Sequence, residues 1–148
     1  MFLGWSVRAL GLGCLLFAAG CGGNQPAAKG TESEVKQIGI VYMRYLGSHQ
    51  GKSPANREEL DKFLEKMSPA DLKTMGIANA KDVFISSRDK SEIVVRYGIE
   101  VPPPGPGKPT VVAYEQKGVG GKHLVVYGTA GVEEITNAKL KELVPDVK

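Results

Sequence analysis

The sequence predicts an α+β domain over residues 31–148: helices first, strands after, and one closing helix. Three observations carry this. Apolar residues recur at helical spacing from Val35 to Met75. β-branched and aromatic runs broken by turn residues take over from Val83, and the short loops between them make consecutive strands antiparallel. That order implies an N-terminal helix packed on a single antiparallel sheet of four to five strands, with short extra helices. At 148 residues, 42% hydrophobic and 24% charged, the chain has the size and composition of one folded domain behind its leader.

The elements follow in order. Thr31-Glu32-Ser33-Glu34 reads as a capping box opening a helix that runs to about Ser48, because Thr31 can accept from a backbone amide while Glu34 reaches back. Val35, Ile38, Val41, Tyr42, Met43, Tyr45 and Leu46 share one broad face, with Ile40 off it; so wide a stripe suits a helix buried against a sheet. Gly51-Lys52-Ser53-Pro54 breaks the helix. Asn56-Arg57-Glu58-Glu59 is a second capping pattern, followed by Leu60, Phe63, Leu64 and Met67 at amphipathic spacing. Ser68 caps a further turn or two with Pro69 in its first turn, Leu72 and Met75 inward, and Gly76 as the stop. Strands are expected at Val83 to Ser86, Glu92 to Tyr97, Thr110 to Tyr114, His123 to Tyr127 and Gly131 to Ile135. Thr136 then caps a last helix with Leu140, Leu143 and Val144 as its apolar patch.

Charge and cysteine content narrow the function classes. Nineteen basic and sixteen acidic residues give a formal charge of +3 and are interspersed, without the basic run of a nucleic-acid surface, so no nucleic-acid partner is expected. Both cysteines, Cys14 and Cys21, fall in the first 21 residues, which leaves the domain without a disulfide or thiolate metal site.

Met1 to Arg8 carry a basic side chain, Ala9 to Ala19 are apolar, and Ala18-Ala19-Gly20 places small residues before Cys21. This is the layout of a signal peptide over 1–20, with an apolar stretch too short to span a bilayer. Leu16-Phe17-Ala18-Ala19-Gly20-Cys21 resembles the lipobox of bacterial lipoprotein precursors, with Ala18 where that family most often has Leu. The resemblance implies a diacylglycerol on the Cys21 thiol, cleavage before it, and palmitate-type acylation of the new amino group. The protein would then sit in the cell envelope, anchored to a membrane by the lipid and facing the periplasm or exterior. Gly22 lacks the Asp that retains many lipoproteins in the inner membrane, and the leaflet stays open. Residues 21–30 read as a flexible tether, whose nine or so residues after the Cys reach roughly 15 to 18 Å.

The element order of the exported part, with Tyr45-Leu46-Gly47-Ser48 entering a loop and an antiparallel sheet afterwards, resembles the periplasmic domain of pilin-like proteins, especially the pseudopilins of type II secretion. Val125-Val126-Tyr127-Gly128-Thr129-Ala130-Gly131-Val132-Glu133 is similar to a stretch of a pseudopilin-like subgroup that follows a Gly-rich hairpin. There the subgroup has Asp-Gly-His where this chain has Thr129-Ala130-Gly131, so no role of acid or imidazole carries over. A lipobox also stands where pilin-like precursors keep a long assembly helix. The resemblance implies a non-enzymatic structural or protein-interaction role with envelope or secretion proteins as partners. The alternative is a lipoprotein binding a small ligand or peptide in a pocket between the first helix and the sheet.

The remaining residues carry no catalytic, cofactor-binding or metal pattern. Gly118-Val119-Gly120-Gly121-Lys122-His123 falls short of a phosphate loop, having Gln116 where the first Gly is required, and reads as a hairpin turn. His49 and His123 lack the spacing of paired ligands and read as surface or hairpin histidines. Val101 to Pro109 reads as a stiff connection between strands, with polyproline recognition as the sharper alternative. Glu58-Glu59 and Glu133-Glu134 read as solvated faces.

Overall fold

The computed structural model describes residues 31–103 and 105–147, with side chains from Glu34 onward. The leader, Cys14, Cys21, the tether and the Thr31 cap lie outside those side chains. The elements are α1 (Thr31–Ser48), α2 (Arg57–Glu65), α3 (Pro69–Thr74), a 3₁₀ turn (Asp82–Phe84), β1 (Ile93–Val95), β2 (Val111–Glu115), β3 (Lys122–Tyr127), β4 (Val132–Thr136) and α4 (Asn137–Leu143). The class is α+β with one four-stranded antiparallel sheet in the order β1-β2-β3-β4, each strand beside its neighbour in the chain. Among the described residues no helix is long and apolar enough to cross a membrane.

The caps explain where the helices begin. Asn56 accepts from the Glu59 amide at 3.0 Å, while the Glu59 carboxylate reaches back to the Ala55 amide at 2.8 Å, one residue beyond the ordinary capping box. Ser68 accepts from the Asp71 amide at 3.1 Å, with Pro69 in the first turn, and Gly76 at φ +73° ends that region. Thr136 caps α4 through the Lys139 amide.

The main core joins Val35, Ile38, Val41, Tyr42, Tyr45 and Leu46 of α1 with Leu60 and Leu64 of α2, Ile93 and Val95 of β1, Val112 and Ala113 of β2, and Leu124 and Val126 of β3. Ile40, outside the stripe by periodicity, is half-buried and still packs against this cluster. Each fully buried aliphatic side chain contributes about 1.5–3 kcal/mol. A bulge between Val111 and Ala113 turns Val112 and Ala113 to the same side, adding one apolar residue to that face. The buried Tyr42 hydroxyl donates to the Arg96 carbonyl at 2.9 Å, and burial pushes its phenol up to about 12.

One expectation needs correction. Val83 to Ser86 is not a strand. Val83 and Phe84 lie in the 3₁₀ turn and are both buried; Asn79 holds the turn through Asp82, and only an isolated Ile85–Glu92 bridge follows. The sheet is covered on both faces. Val111, Tyr114, Val125, Tyr127 and Ile135 form a second cluster with Leu140 and Val144 at the chain's end. This is why all of β2 and most of β3 are buried without alternation.

Candidate functional site

Charged and polar side chains converge at the end of the sheet where β2 turns into β3. The turn itself is built by glycine. Gly120 and Gly121 have φ of +61° and +75°, the geometry of a two-residue hairpin turn, between the bridged Val119 and Lys122. Gly118, at φ +67°, admits no side chain: a Cβ there would stand 2.9 Å from His123 Nδ1. The Gly118 to His123 segment is thus the hairpin that its glycines predict.

Beneath the hairpin lies Glu115, fully buried. Its Oε1 accepts from the Ser86 hydroxyl at 2.9 Å and its Oε2 from the Leu124 amide at 2.9 Å. Arg88 bridges two carboxylates, with Nη1 3.5 Å from Glu115 Oε2 and Nη2 2.5 Å from Glu134 Oε1. Burial would raise the Glu134 carboxyl, but Arg88 and Lys122 outweigh it and hold it below its usual value. Asp89 accepts from the amides of Ser91, Lys117 and Gly118 at 2.9, 3.1 and 2.8 Å. Its burial also acts to raise its carboxyl, and the hydrogen bonds from Ser91, Gly118 and Lys117 more than offset that.

His123 is buried, contrary to a surface reading, with Nδ1 2.8 Å from the Glu115 carbonyl oxygen and Nε2 against the Asn137 side-chain amide. Both ring nitrogens are occupied by protein groups, so neither points at a substrate. Ser86 spends its proton on Glu115 and has no imidazole beside it. The cluster is therefore a brace that fixes the 86–91 turn, the hairpin and the start of α4 to one another. Among the described residues there is no group of His, Cys, Asp and Glu able to hold a metal ion.

No protein-family model, curated protein or solved structure matches this chain.

The other candidate residues fall elsewhere. His49 is exposed at the end of α1, stacked on Tyr45 with centroids 3.8 Å apart. Glu59, beyond its capping role, accepts from the Tyr45 hydroxyl at 2.9 Å; Glu58 pairs with Lys62 at 2.7 Å, and Glu133 accepts from the Tyr127 hydroxyl at 2.6 Å. These glutamates are partnered as well as solvated. In the connection from β1 to β2, Val101, Pro103, Gly105, Lys108 and Thr110 border, with Gly128 and Thr129, a cavity of about 200 Å³. A second cavity of about 220 Å³ runs along β1, where Arg57 holds Asp61 at 2.9 Å and Glu92 at 2.8 Å. Both are smaller than the roughly 300–1,000 Å³ usual for small-molecule sites, and the Arg57 charge is already satisfied. Between α1 and the sheet, Gly39 lies so close to Val126 that a Cβ would stand 2.3 Å from its Cγ2.

The brace went unread in the sequence. Ser86 and Arg88 lie on one loop and Glu115 and His123 on two strands some thirty residues on, and nothing local joins the two pairs.

Proposed function

We propose that this protein is a membrane-tethered envelope lipoprotein with a non-enzymatic structural or protein-interaction role. In this reading the α+β domain is pilin-like, its N-terminal helix laid on the sheet, and related to pseudopilins. The observation that carries the proposal is Cys21, placed after Leu16-Phe17-Ala18-Ala19-Gly20 at the end of a short apolar leader. Two further features support it. The Ser86 and Glu115 side chains are bonded to each other, and the His123 ring is held by the Glu115 carbonyl and Asn137 rather than aimed outward. The contact of Gly39 with Val126 leaves little room for a ligand between α1 and the sheet, which weighs against the pocket alternative. Without the assembly helix of pilin-like precursors, the domain works as a tethered unit and not as a fibre subunit.

Metabolic labelling with palmitate tests the tether: the wild type takes label and Cys21→Ser does not. Equal labelling of the two sinks the lipoprotein reading. Crosslinking in intact cells followed by mass spectrometry tests the role, with secretion-apparatus components as the expected partners; their absence removes the pseudopilin connection.

A further inference from the structure

The 85–91 turn and the hairpin at 116–121 form one rim beside the start of α1. Asp89 ties the turn to the hairpin through the Lys117 and Gly118 amides, Arg88 Nη2 donates to the Val119 carbonyl at 3.4 Å, and the Ser87 hydroxyl donates to Glu34 in the first turns of α1 at 3.1 Å. The rim carries the large apolar side chains that are most exposed among the described residues, Ile85 at 47% and Val119 at 45%. Val119 stands at the tip of a glycine turn, held out by a rigid hairpin. Lys90 and Lys117 are exposed on the same two loops, and among the described residues no carboxylate pairs with either. Among the described residues, Glu134 is paired with Arg88 and Lys122 and Glu92 with Arg57, while Asp89 accepts from three amides and Glu34 from Ser87.

We infer that this rim is the face that rests on the bilayer, with anionic phospholipid as its partner. Val119 and Ile85 enter the boundary between headgroups and acyl chains, and Lys90 and Lys117 meet lipid phosphates. The inference rests on the lipoprotein reading: a lipid on Cys21 and a tether reaching roughly 15 to 18 Å deliver the start of α1, and the rim bonded to it, to the membrane surface. Two apolar tips beside the exposed Lys90 and Lys117 are the chemistry an anionic lipid interface recognises.

The test uses Val119→Trp in a Trp5→Phe background, which leaves one indole because Trp5 is the chain's only tryptophan. Protein purified from membranes is reconstituted into phosphatidylcholine vesicles with and without phosphatidylglycerol, each doped with doxyl-labelled lipid. The indole at position 119 is expected to be quenched and blue-shifted on the anionic vesicles. An indole placed by Lys108→Trp, at the opposite end of β2, is expected to stay unquenched. Lys90→Gln with Lys117→Gln is expected to lower the ratio of quenched to unquenched indole by roughly 25-fold, at about five-fold per lysine. Ile85→Trp serves as a second probe if the first variant folds poorly. Equal quenching at positions 119 and 108, or quenching at 108 alone, overturns the inference. Flotation with the vesicles scores the tether separately: a chain that floats with position 119 unquenched keeps its lipid and loses this rim. A chain that carries no lipid must still show position 119 quenched when titrated with anionic vesicles, and absence of quenching there overturns the rim as well.

Discussion

Gly39→Ala should destabilise the domain, although alanine is the better helix former. In an open helix interior the exchange gains about 1 kcal/mol. Here the new Cβ would lie 2.3 Å from Val126 Cγ2, about 1.5 Å short of ordinary carbon–carbon contact. Val126 has no exposure and is walled by the core, so it cannot swing away cheaply. Overpacking of this kind costs about 1–3 kcal/mol, and the severity of the overlap puts it at the upper end, for a net loss of about 2 kcal/mol. Val126→Ala alone should cost about 2 kcal/mol through lost burial and a cavity. It also removes the clashing methyl, after which the next atoms, Val126 Cβ and Ala130 Cα, stand at 3.5 Å. In that background Gly39→Ala should therefore stabilise by up to about 1 kcal/mol, a coupling of about 3 kcal/mol between the two sites. Urea denaturation followed by far-ultraviolet circular dichroism measures all four variants, with constant m values as the check on two-state behaviour. Additivity within about 0.5 kcal/mol, or a stabilising Gly39→Ala in the wild-type background, refutes direct contact of α1 with the sheet.

Glu115→Ala should cost about 1–3 kcal/mol for each of two orphaned donors, the Ser86 hydroxyl and the Leu124 amide, while Arg88 keeps Glu134; a loss below about 1 kcal/mol in the same denaturation assay would show that the brace carries no weight. Asp89 has a carboxyl held below its ordinary value of 3.8, so the stability it contributes is present above that value and is lost as pH falls from there through the folded-state value. By nuclear magnetic resonance the Gly118 amide proton should titrate with a midpoint under 3.8, and the titration should vanish in Asp89→Asn; a midpoint above that value contradicts the depressed carboxyl.

Much of the fold was legible because it is local. The positions from Val35 to Leu46, the Asn56, Ser68 and Thr136 caps, and the glycines at 118, 120 and 121 each act within a few residues. Their geometry follows from period, side-chain reach and φ. The Val83 to Ser86 error has the same origin: a short apolar run has no period of its own, and the Asn79–Asp82 contact that winds it into a turn lies upstream of the run. The second buried face escaped notice because alternation does not apply to β2 and β3, and nothing local reveals that α4 folds back over them. The brace needed tertiary structure. Its carboxylates and guanidinium come from separate elements, and only the sheet register places Glu115 opposite Ile93 and within reach of Ser86 and Arg88.

The sequential order of the sheet also bears on how fast and in what order the chain can fold. Every strand closes onto its chain neighbour: the β2–β3 and β3–β4 pairings cost only a short turn, while β1–β2 must close the longer connection over 96–110. Gly39 and Val126, by contrast, are brought together across most of the domain's length. The hairpins can therefore zip early, while docking of the first helix waits for the third strand. Substitutions at Gly120 or Gly121 should register in the folding rate, and those at Gly39 mainly in the unfolding rate. A chain emerging amino terminus first makes α1 before anything that can cover it. The apolar face from Val35 to Leu46 can first meet Leu60 and Leu64, then Phe84 and Ile93, but stays incompletely covered until Leu124 and Val126 have followed, and in that interval the nascent chain is most exposed to aggregation.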